Sequence, residues 1–232
     1  MTWVKICGMT NLEDALTAAE AGADAVGFVF YEKSPRNISV EAAREIVEKL
    51  PESVEKVGVF VGGTGDDIKK AAQSAGLTAV QFYPRDAVEA PSGWENWKEK
   101  GKYKLILAVQ GEKLMDRKGP DGSGVSFLPM GSARKNGLHA FLIDSGAGGR
   151  PGGTGEAFDW ERCHLLVRGL NVIAPIIVAG GLTIANVGKA IDLFDPFGVD
   201  VVSGVEATPG KKDPEKVRAF VKAVRVAEAG GG

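Results

Sequence analysis

Val57-Gly58-Val59-Phe60-Val61 runs into Gly62-Gly63-Thr64-Gly65, then Asp66–Ala75, then Gly76, and resumes as Ala79-Val80-Gln81-Phe82-Tyr83. The two outer runs are short and carry β-branched and aromatic residues, and the first is apolar on both faces, which is the pattern of parallel strands covered by helices. Asp66–Ala75 between them carries Ala and Lys at helical spacing, and Gly76 supplies the left-handed residue that ends a helix. Gly62–Gly65 reads as a turn. The unit is strand, turn, helix, strand.

The same unit recurs along the chain. Apolar runs stand at Val4–Cys7, Ala25–Phe30, Val57–Val61, Ala79–Tyr83, Leu105–Val109, Phe141–Asp144, Ile176–Ala179 and Val199–Ser203. Helical patterns include Asn11–Glu20, Val40–Lys49, Asp66–Ala75 and Pro214–Val226. Asn11, Ser39 and Asp213 stand where N-caps belong, Pro214 at the first-turn position it favours, and Gly22 after a helix end. Eight repeats with no low-complexity linker predict a single (β/α)₈ TIM barrel of eight parallel strands over residues 1–232, with about 229–232 a flexible tail. An open doubly wound sheet is the alternative. Gly111–Ser126 reads as a long polar loop before a weak helix around Phe127–Lys135. A short helix near Gly93–Lys100 carries Trp94 and Trp97, three residues apart, which reads as core packing.

The chain has 232 residues, 28 basic and 30 acidic, for a net charge of −2. Such a balance provides no general field for nucleic acid or an anionic membrane, so any phosphate must be met locally. Two cysteines and two histidines are too few for a disulfide framework or a structural zinc site, and no metal or cofactor is expected. Nothing reads as a signal peptide or membrane span, so a cytoplasmic setting is expected. Glycine is the excess: 32 residues, about twice the usual share of roughly 7%.

In a barrel the strand carboxyl ends and the loops after them make the site. Alternation puts Trp3, Lys5 and Cys7 on one face of the first strand, with Cys7 at the mouth and Lys5 one layer below, where its charge would favour the thiolate. The sixth strand ends in Asp144. Six glycines crowd Gly146–Gly155 after it and no helix begins until about Asp159, so Asp144 is too far from a helix to be a cap. A carboxyl at the mouth among apolar neighbours is expected to hold a raised pKa and donate a proton. Gly152-Gly153-Thr154-Gly155, Gly180-Gly181 and Ser203-Gly204 are amide-rich turns after strands six, seven and eight, suited to a phosphate. Arg36, stiffened by Pro35 after the second strand, offers a planar fork to a carboxylate. His139, His164 and Cys163 are given no role.

These motifs resemble a known family. Lys5-Ile6-Cys7-Gly8-Met9-Thr10, Gly27-Phe28-Val29-Phe30 with Ser34-Pro35-Arg36, Leu142-Ile143-Asp144, Gly152-Gly153-Thr154-Gly155 with Phe158-Asp159-Trp160, Ala179-Gly180-Gly181-Leu182 and Val202-Ser203-Gly204-Val205-Glu206 look like phosphoribosylanthranilate isomerase, over Val4 to about Asp213. The resemblance implies a cofactor-free Amadori rearrangement in tryptophan biosynthesis, on a small phosphosugar substrate; a monomer or homodimer is expected. It implies Asp144 as general acid, Cys7 as general base and Arg36 on the anthranilate carboxylate. The phosphate would lie at Gly153, Thr154, Gly180, Gly181, Ser203 and Gly204, with Lys5, Gln81 and Tyr83 lining the site.

Two features depart from the family pattern. The fourth strand ends Gln81-Phe82-Tyr83-Pro84, where the family usually has glutamine, leucine, histidine and glycine. The loop Gly111–Ser126 is longer and more polar than expected, and reads as a lid or an inert insertion. The nearest rival is a sugar-phosphate isomerase of histidine synthesis, or one serving both pathways; such barrels carry an aspartate where Cys7 stands. A silent phosphate-binding barrel is a further alternative.

Overall fold

The computed structural model describes residues 1–84, 103–111, 138–144, 160–171 and 174–230. Eight strands, β1 (Trp3–Cys7), β2 (Ala25–Phe30), β3 (Glu55–Val61), β4 (Ala79–Tyr83), β5 (Lys104–Gln110), β6 (Leu138–Asp144), β7 (Ile176–Val178) and β8 (Gly198–Val201), close into one barrel in chain order. Every neighbouring pair is parallel, including β1 with β8. All eight expected strands are present, and closure excludes the open sheet. Around them lie α1 (Leu12–Glu20), α2 (Val40–Val47), α3 (Gly65–Ala75), α4 (Trp160–Asn171), α5 (Val187–Phe194) and α6 (Pro214–Gly230). The regions predicted as a helix near Gly93–Lys100, a long loop over 112–126 and a weak helix around Phe127–Lys135 lie outside the described residues.

The caps do what their residue types predict. Asn11, Ser39 and Thr64 side chains accept from the amides of Asp14, Ala42 and Asp67 at 2.9, 3.1 and 3.2 Å. Asp213 accepts from the amides of Glu215 and Lys216. Each such bond is worth about 1 kcal/mol to its helix. Gly76 takes φ +69° at the end of α3. Two helix carboxyl ends differ from the sequence reading by more than one residue. Helix α2 ends at Val47, ahead of Leu50-Pro51, because a proline disfavours helical backbone in the residue before it. Helix α6 runs on to Gly230, so Ala229 and Gly230, expected in a flexible tail, are helical. Glu228 on that last turn accepts from the Thr2 amide and pairs with Arg225, anchoring it to the start of β1.

The core has two layers. Outward residues of the strands, such as Val4, Ile6, Val26, Phe28, Val80 and Phe141, pack against the helices. Inward residues, among them Ala25, Val57, Ala79, Ile106, Leu142 and Ile177, fill the barrel. At its amino-terminal end Trp3 stacks on Phe197, and His139 meets the same ring edge-on. The site is therefore left to the opposite end. After β8 the chain makes a short 3₁₀ turn, Ser203–Val205, and a small hairpin of β9 (Glu206–Thr208) and β10 (Lys211–Lys212) that the sequence reading did not foresee. Pro209-Gly210, with Gly210 at φ +84°, makes its turn.

Candidate active site

One pocket opens at the carboxyl ends of the strands, and Cys7, Arg36, Gln81, Tyr83, Asp144, Gly180, Gly181 and Ser203 all line it. The structure thus gathers residues from β1, β2, β4, β6, β7 and β8. Gly153 and Thr154 lie outside the described residues. Lys5 lies below the pocket floor rather than on its wall, fully buried.

Parallel register explains the layer beneath the pocket. Lys5 and Asp200 are direct partners in the β1–β8 pairing, so their side chains enter the barrel at one level. There Lys5 Nζ donates to Asp200 Oδ1 at 2.9 Å. A buried lysine needs such a partner, and burial, which would lower its pKa, is outweighed by Asp200 and Cys7, so the ammonium is held above its ordinary value. The expected effect on Cys7 needs correction. Lys5 does pull the thiol down, but burial pushes it up more strongly and Asp200 adds to that, so the net direction is upward. The thiol form predominates.

Asp144 ends β6 opposite Gln110 of β5 and is 2% exposed. The Tyr83 hydroxyl donates to its Oδ2 at 2.8 Å, and Gln81 Nε2 donates to the Tyr83 hydroxyl oxygen at 3.3 Å. Tyr83 therefore lines the site through a bond to the expected acid. Desolvation, with Asp144 nearby, holds the Tyr83 hydroxyl well above its ordinary value, so it remains a donor.

Arg36 reaches the mouth because the turn after β2 folds back on itself. Ser34 Oγ accepts from the Arg36 amide at 3.1 Å, and Ile38 returns to pair with Val29. The carboxylate that Arg36 meets is one the sequence reading did not give it: Glu206, bound through Nε and Nη2 at 2.9 and 2.7 Å. Lys212 Nζ and the Gly210 amide also bond Glu206 Oε1, each at 3.2 Å. Arg36 and Lys212 together overcome the burial of Glu206 and keep its carboxyl below its ordinary value. A buried clamp on the β9–β10 hairpin thus holds the fork in place, leaving its Nη1 side for a ligand.

The turns after β7 and β8 meet here. Gly180 and Gly181 have φ of +79° and +64°, a conformation that lets successive amides turn to one side. Gly204 is glycine for a different reason, close approach: a Cβ there would stand 2.0 Å from the Leu182 carbonyl oxygen. The two turns touch backbone to backbone, with Ser203 beside them at the pocket wall.

Asp200, Glu206 and Lys212 escaped the sequence reading. Asp200 carried a usable signal, since a strand adjoining β1 in a closed barrel places it level with the inward Lys5. Lys212 carried none, because its hairpin is too short to show periodicity, and Glu206 stood only as the last residue of a family motif, with no partner or role given to it. His139, half-buried near the amino-terminal end, and Cys163, buried in α4, stand away from the site.

Known proteins share this fold and much of the sequence. Residues 4–119 and 122–223 match the family described as N-(5'phosphoribosyl)anthranilate (PRA) isomerase. The chain is 41% identical to the N-(5'-phosphoribosyl)anthranilate isomerase of Pseudomonas fluorescens strain Pf0-1, over 95% of this chain and 97% of that one. It is 42% identical to the enzyme of that name from Rubrobacter xylanophilus, over 97% and 100%. Among solved structures, phosphoribosyl anthranilate isomerase from Thermotoga maritima superposes with a TM-score of 0.75 at 38% identity, covering 97% of this chain and all of that one. A phosphoribosyl anthranilate isomerase in complex with reduced 1-(o-carboxyphenylamino)-1-deoxyribulose 5-phosphate gives a TM-score of 0.73 at 37% identity, with the same coverage. With a match over nearly its whole length and a closed barrel carrying the expected residues at one mouth, the chain belongs to the N-(5'-phosphoribosyl)anthranilate isomerase family.

Proposed function

We propose that this chain isomerises N-(5'-phosphoribosyl)anthranilate to 1-(2-carboxyphenylamino)-1-deoxyribulose 5-phosphate, with Asp144 as general acid and Cys7 as general base. The observation that carries the assignment of roles is that these two groups, on β6 and β1, face one pocket, with glycine turns on its β7–β8 side. Asp144 gives its proton to the ribose ring oxygen as the C1–O bond breaks, and the anilino nitrogen lone pair forms the C=N bond. The Cys7 thiolate takes the proton from C2, and that electron pair forms the C1=C2 bond of an enolamine. Tautomerisation protonates C1 and removes the 2-hydroxyl proton, leaving the ketone. The product is an isomer of the substrate, and no electrons leave or enter.

Burial leaves the thiolate the minor form of Cys7. Ring opening creates a cationic iminium beside it, which favours the thiolate when it is needed. Arg36 takes the anthranilate carboxylate, held from behind by Glu206. The phosphate lies against Gly180, Gly181, Ser203 and Gly204. The enzyme works in the cytoplasm as a monomer or homodimer; among the described residues no helix is long and apolar enough to cross a membrane.

The test is turnover of freshly prepared N-(5'-phosphoribosyl)anthranilate, followed as loss of anthranilate fluorescence. Cys7→Ser and Asp144→Asn each cut turnover by about 10²-fold or more, the usual worth of a positioned base or acid. Near-normal turnover in either variant removes that residue from its role. Activity on the aminoaldose of histidine synthesis without activity on this substrate transfers the assignment to the rival isomerase.

A further inference from the structure

We propose that Tyr83 is a positioning residue for Asp144: its hydroxyl fixes the carboxyl plane so that the acid proton is presented to the ribose ring oxygen. This rests on the reading of Asp144 as the general acid. Tyr83 ends β4 and Asp144 ends β6, and both side chains are buried at the pocket wall. A phenol has one proton. Gln81 Nε2 donates to the phenolic oxygen at 3.3 Å, and the phenol donates its own proton to Asp144 Oδ2 at 2.8 Å. The order of donors therefore runs from Gln81 through Tyr83 to Asp144, and Tyr83 has no second proton to give the substrate. A carboxyl held at one oxygen by a rigid ring loses its freedom to rotate, which is the freedom that misaligns a proton donor. For the protonated acid the bond also strengthens as the proton leaves, because a charged acceptor binds the hydroxyl more tightly.

Among the described residues, Cys7 of β1 and Asp200 of β8 act on the Tyr83 hydroxyl, and Lys5 of β1 is paired with Asp200 beneath them. On β5 the register partner of Asp144 is Gln110, which is uncharged, and β7 with the residue after it presents Ile177 and Ala179. Tyr83 is thus the neutral donor in a setting of charged neighbours, and removing it changes the acid without changing net charge.

The experiment compares Tyr83→Phe, Asp144→Asn and the double variant, with [¹³Cγ]-Asp labelling to titrate Asp144 by NMR. In Tyr83→Phe kcat falls about tenfold while KM moves less than twofold, since a mispositioned acid costs about that factor in rate and little in binding. The Asp144 titration moves to higher pH, because the charged form has lost a donor. The double variant is no slower than Asp144→Asn alone, because Tyr83 acts through the carboxyl. Single-site replacement of Tyr83 by 3-fluorotyrosine, which keeps the ring and strengthens the donor, moves the Asp144 titration to lower pH and covers the case in which the Phe variant folds poorly. An unchanged kcat and an unchanged Asp144 titration in Tyr83→Phe, with Asp144→Asn strongly impaired, overturn the proposal and leave the acid assignment standing. Near-normal turnover in Asp144→Asn overturns the acid assignment itself.

Discussion

Arg36 and Glu206 are 170 residues apart in sequence and joined by two parallel bonds, Nε to Oε1 at 2.9 Å and Nη2 to Oε2 at 2.7 Å. A guanidinium gripped on one edge presents its other edge in a fixed direction, which favours planar recognition of a second carboxylate. Lys212 adds a second cation on Glu206, so the trio carries a net positive charge and a substrate carboxylate meets a guanidinium already oriented.

Arg36→Ala raises KM for phosphoribosylanthranilate about tenfold or more, with kcat within a few-fold, as loss of a binding contact does. Glu206→Gln keeps the arginine but loosens it, and raises KM less. Steady-state kinetics decide the matter, and an unchanged KM in Arg36→Ala removes Arg36 from carboxylate recognition.

The same pair predicts a response to acid. The Glu206 carboxyl is held below its ordinary 4.5 in the folded state, so its stabilisation is complete above that value and is lost as pH falls through the folded-state pKa beneath it. Urea unfolding between about pH 5 and pH 3 shows a steeper loss of stability for the native protein than for Glu206→Gln. Equal slopes sink the prediction.

Cys7 carries a thiol pushed above its ordinary 9.0 by burial, against the pull of Lys5. Because alkylation needs the thiolate, the rate of Cys7 modification by iodoacetamide is low at neutral pH and still climbs at pH 9. Lys5→Met removes the opposing charge and moves the curve further up. Cys7→Ser supplies the background from Cys163, and a rate that levels off below pH 8 contradicts the account.

Gly204→Ala places a Cβ against the Leu182 carbonyl, an atom of fixed backbone, so the turn after β8 must move away from the turn after β7. Overpacking of this kind costs about 1–3 kcal/mol. Inorganic phosphate and substrate both bind more weakly, by about tenfold or more if the shift reaches 1.4 kcal/mol of the binding energy. Unaltered phosphate affinity by calorimetry detaches this turn from the phosphate.

Much of the site was legible because a parallel strand with period two announces its own inward face. Cys7 and Asp144 each end an apolar run, and a strand end in a closed barrel is a position at the mouth. Tyr83 was legible as a departure, but its bond to Asp144 was not, because β4 and β6 are separated by a strand and by 61 residues of chain. Lys5 shows the limit most clearly. Its place below Cys7 followed from alternation; its net effect did not, since desolvation of the thiol depends on everything packed around it.

By itself, then, the sequence determined the alternation of strands and helices, the caps that bound several helices, and the set of polar residues at strand ends, all of which are local properties of spacing and side-chain type. Tertiary structure decided which groups meet. Closure of β1 on β8 pairs Lys5 with Asp200, a short hairpin brings Glu206 and Lys212 to Arg36, and Tyr83 reaches past β5 to Asp144. Those are contacts between distant parts of the chain, set by barrel geometry, and burial gives them strength and direction that no pattern of neighbouring residues encodes.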